Sequence, residues 1–159
     1  MSAVSPLLVL GIGNVLMGDE GVGVHAINAL GRERWPEGIA LVDGGTGGFH
    51  LLEYLQGYGS IVMIDATMDG QPAGTVSVLR PKYASDFPRS LTAHDIGLRD
   101  LIEATALLGA LPDVTLITVS ISEIKSMVLT LSDPVESAIP MVRRLVQTLV
   151  AEEMAAVNA

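Results

Sequence analysis

Pro6-Leu7-Leu8-Val9-Leu10-Gly11-Ile12-Gly13-Asn14-Val15-Leu16-Met17-Gly18-Asp19-Glu20-Gly21-Val22 is the stretch that decides how this chain folds. Its opening is an unbroken apolar run closed by glycine, the pattern of a strand covered on both faces. Farther on, Val22, Ala26, Ile27 and Leu30 recur at helical spacing. The acids Asp19 and Glu20 stand at the start of that helix, where its dipole favours negative charge.

The same alternation continues to the end of the chain. Ile39-Ala40-Leu41-Val42 reads as a second strand, ending at Asp43-Gly44-Gly45-Thr46. Phe49, Leu51, Leu52 and Leu55 make a short helix; its leucines face either the core or a partner, and an isolated apolar stripe more often belongs to a core. Ile61-Val62-Met63-Ile64 is a third buried strand, ending at Asp65. Turn-rich residues 69–74 lead into Thr75-Val76-Ser77-Val78-Leu79, over a connection too short for a helical crossover. That strand is expected to run antiparallel to its predecessor. Residues 81–89 read as an irregular loop. Leu98, Leu101, Ile102, Thr105 and Leu108 form a third helical stripe, preceded by Thr92-Ala93-His94-Asp95 at capping-box spacing. Val114-Thr115-Leu116-Ile117-Thr118-Val119 is a fifth strand. Asp133-Pro134-Val135-Glu136 signals another helix start. The last helix carries Ile139, Val142, Leu145, Val146 and Leu149, with a kink expected near Pro140. The fold class is therefore α/β. Residues 1–159 form a single domain, a three-layer α/β/α sandwich around a mostly parallel twisted sheet of about five strands.

Composition excludes several function classes. With 49% hydrophobic and 17% charged residues, the chain is not disordered. Nine Lys+Arg against eighteen Asp+Glu give a net charge of −9, so a nucleic-acid partner is not expected. The absence of cysteine removes disulfides, thiolate metal sites, iron–sulfur clusters and a Cys nucleophile. No basic region precedes the first apolar run, because the first Lys or Arg is Arg32. No run approaches the roughly 20 apolar residues of a membrane helix, so a cytoplasmic protein without a membrane partner is expected. The H-E-x-x-H zinc helix, the G-x-S-x-G elbow and the P-loop are all missing. Gly11-Ile12-Gly13 followed by Asp43 resembles part of a dinucleotide fingerprint, but Leu16 stands where the third glycine belongs. The helix also begins after a long loop, away from where a pyrophosphate would lie.

What remains is a set of acids at strand ends. Asp19, Glu20, Asp43, Asp65 and the pair His94-Asp95 all fall in loops or first helical turns beside strands. Ligands in such folds gather at the carboxyl ends of the strands. No Lys or Arg lies between positions 35 and 79, so carboxylates crowded at that edge repel one another locally. A bound cation relieves this, and so does a distant arginine such as Arg99. Each residue also has an ordinary reading. Glu20 complements a dipole, Asp65 bends a loop and His94 sits near a cap. A neutral imidazole is favoured at a helix start, and two carboxylates with one imidazole make an open site for a borderline cation such as nickel or zinc. His25 and His50 fall inside helices and read as structural or surface residues.

The run Gly11-Ile12-Gly13-Asn14-Val15-Leu16-Met17-Gly18-Asp19-Glu20-Gly21-Val22-Gly23 resembles the N-terminal signature of the nickel–iron hydrogenase maturation proteases. The resemblance continues at Asp43-Gly44-Gly45-Thr46-Gly47-Gly48, Ile64-Asp65-Ala66, Thr92-Ala93-His94-Asp95-Ile96-Gly97-Leu98 and Leu131-Ser132-Asp133-Pro134-Val135-Glu136. It implies an endopeptidase that removes a C-terminal extension from the hydrogenase large-subunit precursor once nickel has been inserted. It further implies metal contacts from Glu20, Asp65 and His94, and a role for Asp43 in substrate recognition or catalysis. The chain departs from the family pattern in residues 121–130, where Thr130 replaces the usual glycine before Leu-Ser.

On this reading the large-subunit precursor is the partner and a monomer the expected state. Nickel arrives with the precursor, and other divalent cations substitute for it in the free protein. Asp43 or Asp19 acts as general base or orients the substrate backbone. Two other classes stay open at this point. One is a non-catalytic, nickel-dependent docking module for the large subunit; the other is a dinucleotide-binding oxidoreductase.

Overall fold

The computed structural model describes residues 7–88, 91, 98–109 and 111–157. Five strands form one sheet: β1 Leu7–Gly11, β2 Ile39–Asp43, β3 Ser60–Thr67, β4 Val76–Leu79 and β5 Asp113–Ser120. Their order is β2-β1-β3-β5-β4, with β4 alone antiparallel. Helices α1 Val22–Leu30, α2 Leu52–Gly57, α3 Leu98–Leu108, α4 Asp133–Glu136 and α5 Ile139–Val157 cover the two faces.

The period-two alternation of strand side chains builds both halves of the core. Leu7 and Val9 of β1 join Val62 and Ile64 of β3 beneath Ile27 and Leu30 of α1 and Val142, Val146 and Val150 of α5. Leu8 and Leu10 point the other way and meet Leu51, Leu55, Leu98, Leu101 and Ile102. Every residue of β1 is buried, as the continuous apolar run requires of a strand sandwiched by helices. The leucines of the second helical stripe therefore serve the core. Each of the fully buried α5 valines stabilises the fold by roughly 1.5–3 kcal/mol relative to exposure. The indole of Trp35, the single tryptophan, donates to the carbonyl of Leu30 at 2.8 Å and closes the end of α1. Asp86 accepts the backbone N–H groups of Lys82 and Tyr83, which hold its carboxyl below the ordinary carboxylate value.

One local expectation holds with a different neighbour, and one is corrected. β4 does oppose the direction of β3, but its hydrogen-bonded neighbour is β5, with Val76 opposite Val119 and Leu79 opposite Leu116. It closes the sheet as an edge strand, where its half-exposed sequence fits. Pro140 does not kink a long helix. The chain stops at Glu136, turns through Ser137 and Ala138, and starts α5 at Ile139. Pro140 thus occupies the first turn of a new helix, where the missing N–H has no intrahelical partner to lose. None of the described helices is long and apolar enough to cross a membrane.

The strand order positions the site. From β1 the chain moves to one side for β2 and to the other for β3, so the order reverses between β1 and β3. The crevice outside the carboxyl ends at such a switch point is where open α/β sheets bind ligands.

Candidate active site

At the switch point the ends of three strands are knitted together by backbone hydrogen bonds. Ile12 N–H donates to Ile64 O at 2.9 Å, Gly44 N–H to Gly11 O at 2.8 Å, and Gly13 N–H to Gly45 O at 2.7 Å. Gly11 pairs in register with Asp43 on one side and Ile64 on the other. The carboxylates of Asp43 and Asp65 therefore leave the sheet at the same edge, flanking the end of β1.

Glu20 enters this edge on a 3-10 turn, Gly18–Gly21, that precedes α1 and packs against β3. The Glu20 carboxylate is buried, and its Oε2 accepts the Asn14 backbone N–H at 2.6 Å. Asn14 Oδ1 in turn accepts Leu16 N–H at 2.9 Å, so residues 14–16 curl into a turn around the acid. Close approach of backbone makes this possible. A Cβ on Gly13 would lie 2.3 Å from the carbonyl oxygen of Glu20. One on Gly23 would lie 2.3 Å from the carbonyls of both Ile12 and Ile64, so only glycine lets α1 seat on the ends of β1 and β3. Glu20 is more than a dipole complement: the loop is folded about it.

Asp65 sits half-buried near the end of β3, with Oδ1 accepting the Ala66 N–H at 2.8 Å. Asp43 is exposed at the end of β2, and its Oδ1 accepts Gly45 N–H at 2.8 Å. Asp19 is buried and committed elsewhere. Its Oδ1 accepts the Ser132 N–H and its Oδ2 the Ser132 hydroxyl, each at 2.7 Å, across 113 residues of sequence. Ser132 is the N-cap residue of α4 yet makes no side-chain bond to that helix. Its hydroxyl ties the Glu20 turn to the far loop instead. Replacing Ser132 by Ala is expected to cost about 1.5–3 kcal/mol in urea unfolding, the range for a hydrogen bond to a charged group. An unchanged midpoint would show the tie to be energetically idle.

His94 and Asp95 lie outside the described residues. Among the described residues, no three His, Cys, Asp or Glu side chains cluster as a metal site. His25 has a buried Nε2 with no partner among those residues, and His50 is exposed. Asn14 and Ser132 shape the site as well, through bonds that their positions inside the motifs quoted above do not signal.

Residues 24–150 match the family model described as hydrogenase maturation protease. The chain belongs to the hydrogenase maturation protease family. Hydrogenase expression/formation protein HupM of Azotobacter chroococcum mcd 1 is 34% identical over 142 residues, covering 86% of this chain and 68% of the relative. Hydrogenase 2 maturation protease of Escherichia coli K12 is 34% identical over 110 residues, covering 67% of this chain and 66% of that one. Among solved structures, the hydrogenase maturating endopeptidase HybD from E. coli superposes with a TM-score of 0.83 at 29% identity, covering 92% of this chain and 93% of that one. The maturation protease HycI from Thermococcus kodakarensis KOD1 shares the fold, with a TM-score of 0.75 at 16% identity over 94% of this chain and 95% of that one. As a hydrogenase maturation protease the protein is a peptidase, and the five-stranded, mostly parallel sheet is the family architecture.

Proposed function

We propose that this protease removes the C-terminal extension of a nickel–iron hydrogenase large-subunit precursor after nickel has been inserted, and that Glu20, Asp65 and His94 contact that nickel. One observation carries the reading. A buried carboxylate, Glu20, is held by a purpose-folded loop at the switch point of the sheet, on a turn packed against the strand that bears Asp65. Metal in the precursor is part of the substrate. It serves to place the scissile bond, and it polarises the peptide carbonyl or lowers the pKa of a bound water. Asp43 is the better placed general base. It is exposed at the rim and bonded through one oxygen to Gly45, whereas both oxygens of Asp19 are engaged by Ser132. In the proposed hydrolysis a water oxygen adds to the carbonyl carbon, Asp43 takes the water proton, and the C–N bond breaks as the amine is protonated. Asp19 then acts through position, fixing the turn that carries Glu20.

The test is intact-mass spectrometry of a nickel-loaded precursor incubated with the full chain. Loss of a single C-terminal peptide is expected. A stoichiometric complex with unchanged precursor mass would replace the protease by a docking module.

A further inference from the structure

The loop of residues 121–132 is fastened to the Glu20 segment at two points. Val128 N–H donates to Leu16 O at 3.2 Å and Gly18 N–H to Val128 O at 2.8 Å, a parallel bridge between Met17 and Val128. The second point is the Asp19–Ser132 pair. Immediately before the first fastening, Met127 has a φ of +60°, the single non-glycine with positive φ among the described residues. A glycine or asparagine takes that conformation at little cost; an unbranched apolar side chain does not. Strain of this kind persists where the surrounding structure enforces it, and it concentrates at ligand-contacting segments. Folding does not explain the choice of methionine here. Met127 belongs to neither core cluster and is 78% exposed. Leu129 and Leu16, on either side of the same bridge, are also exposed.

We infer that Met127, flanked by Leu16 and Leu129, is a specificity-determining contact for the protein surface of the hydrogenase precursor. This deepens the protease reading above and rests on it. A polypeptide is the fitting occupant for two reasons. The cleft beside the bridge, lined by Gly18, Asp19, Val128 and Ser132 together with the charged Glu123 and Lys125, measures about 120 Å³, well short of the several hundred Å³ typical of small-molecule sites. It admits one small side chain while the apolar rim lies open to a larger surface. The rim is also bridged, at Met17 and Val128, to the backbone segment that carries Glu20, so it stands beside the turn the precursor has to reach. Methionine suits such a contact because its flexible thioether adapts to an irregular apolar partner.

The experiment uses the full chain and the nickel-loaded precursor, with Met127→Ser and Met127→Gly compared against wild type. Ser keeps the strained turn and removes the side chain; Gly removes both. Each is expected to raise KM about tenfold, the loss for one apolar contact, with kcat changed far less. Met127→Gly should also raise Tm as the strain is relieved. An unchanged KM in both variants overturns the inference, as does a fall in Tm in Met127→Gly, which would make Met127 structural. A concentration-dependent dimer lost in Met127→Ser would assign the rim to a second copy of this chain and also overturn it. Should wild type bind the precursor without cutting it, the protease reading fails by itself. Weakened binding by the variants would then still uphold the contact.

Discussion

Glu20→Gln is expected to abolish precursor processing while the domain stays folded. Glutamine matches glutamate in volume and keeps an oxygen able to accept the Asn14 N–H, so the loop around position 20 retains its organising bond. What disappears is the negative charge that a metal-contacting carboxylate supplies. Loss of a metal contact weakens affinity or activity by one to two orders of magnitude or more, so a drop of at least about a hundredfold in kcat/KM is expected. The check is intact-mass kinetics on the precursor, paired with thermal melting of the variant. Normal processing by a folded Glu20→Gln protein would remove Glu20 from the site.

The second large effect is on stability. Gly23→Ala adds a single methyl group, yet that carbon would stand 2.3 Å from two backbone carbonyl oxygens, on Ile12 and Ile64. Neither oxygen can rotate away, since Ile64 O accepts the Ile12 N–H and both belong to the knitted strand ends. Helix α1 must therefore lift off the sheet. Overpacking against flexible side chains costs typically 1–3 kcal/mol, and a clash with fixed backbone belongs at or above the top of that range. A loss of about 3 kcal/mol corresponds to a fall in Tm of roughly 6–12 °C for a domain of this size. Because the Glu20 turn runs directly into α1, processing should fall with it. A wild-type Tm for Gly23→Ala would mean that α1 is not seated as described.

The strands were legible because a buried parallel strand leaves a continuous apolar run, and β1, β2, β3 and β5 each begin or end within a few residues of theirs. Glu20, Asp43 and Asp65 were legible for a related reason: each follows or borders such a run, and chain order alone then brings them to one edge of the sheet. The break at Pro140 was not. A proline in a helical pattern ends one helix or starts the next, and local sequence does not distinguish the two. The Asp19–Ser132 tie was hidden by its separation of 113 residues. Ser132 stands at the N-cap of α4, a position where serine is common for local reasons, and nothing beside it in the sequence points to Asp19. The backbone of Met127 was equally hidden, since nothing in Ser126-Met127-Val128 signals a positive φ.

In the proposed reaction, nickel already seated in the substrate is the signal for cleavage. The most direct measurement compares processing of nickel-loaded and nickel-free large-subunit precursor by the wild-type chain, followed by intact mass over one time course. Loss of the C-terminal peptide from the loaded form alone is expected. Equal cleavage of both forms would keep the protease and contradict nickel as the element it recognises.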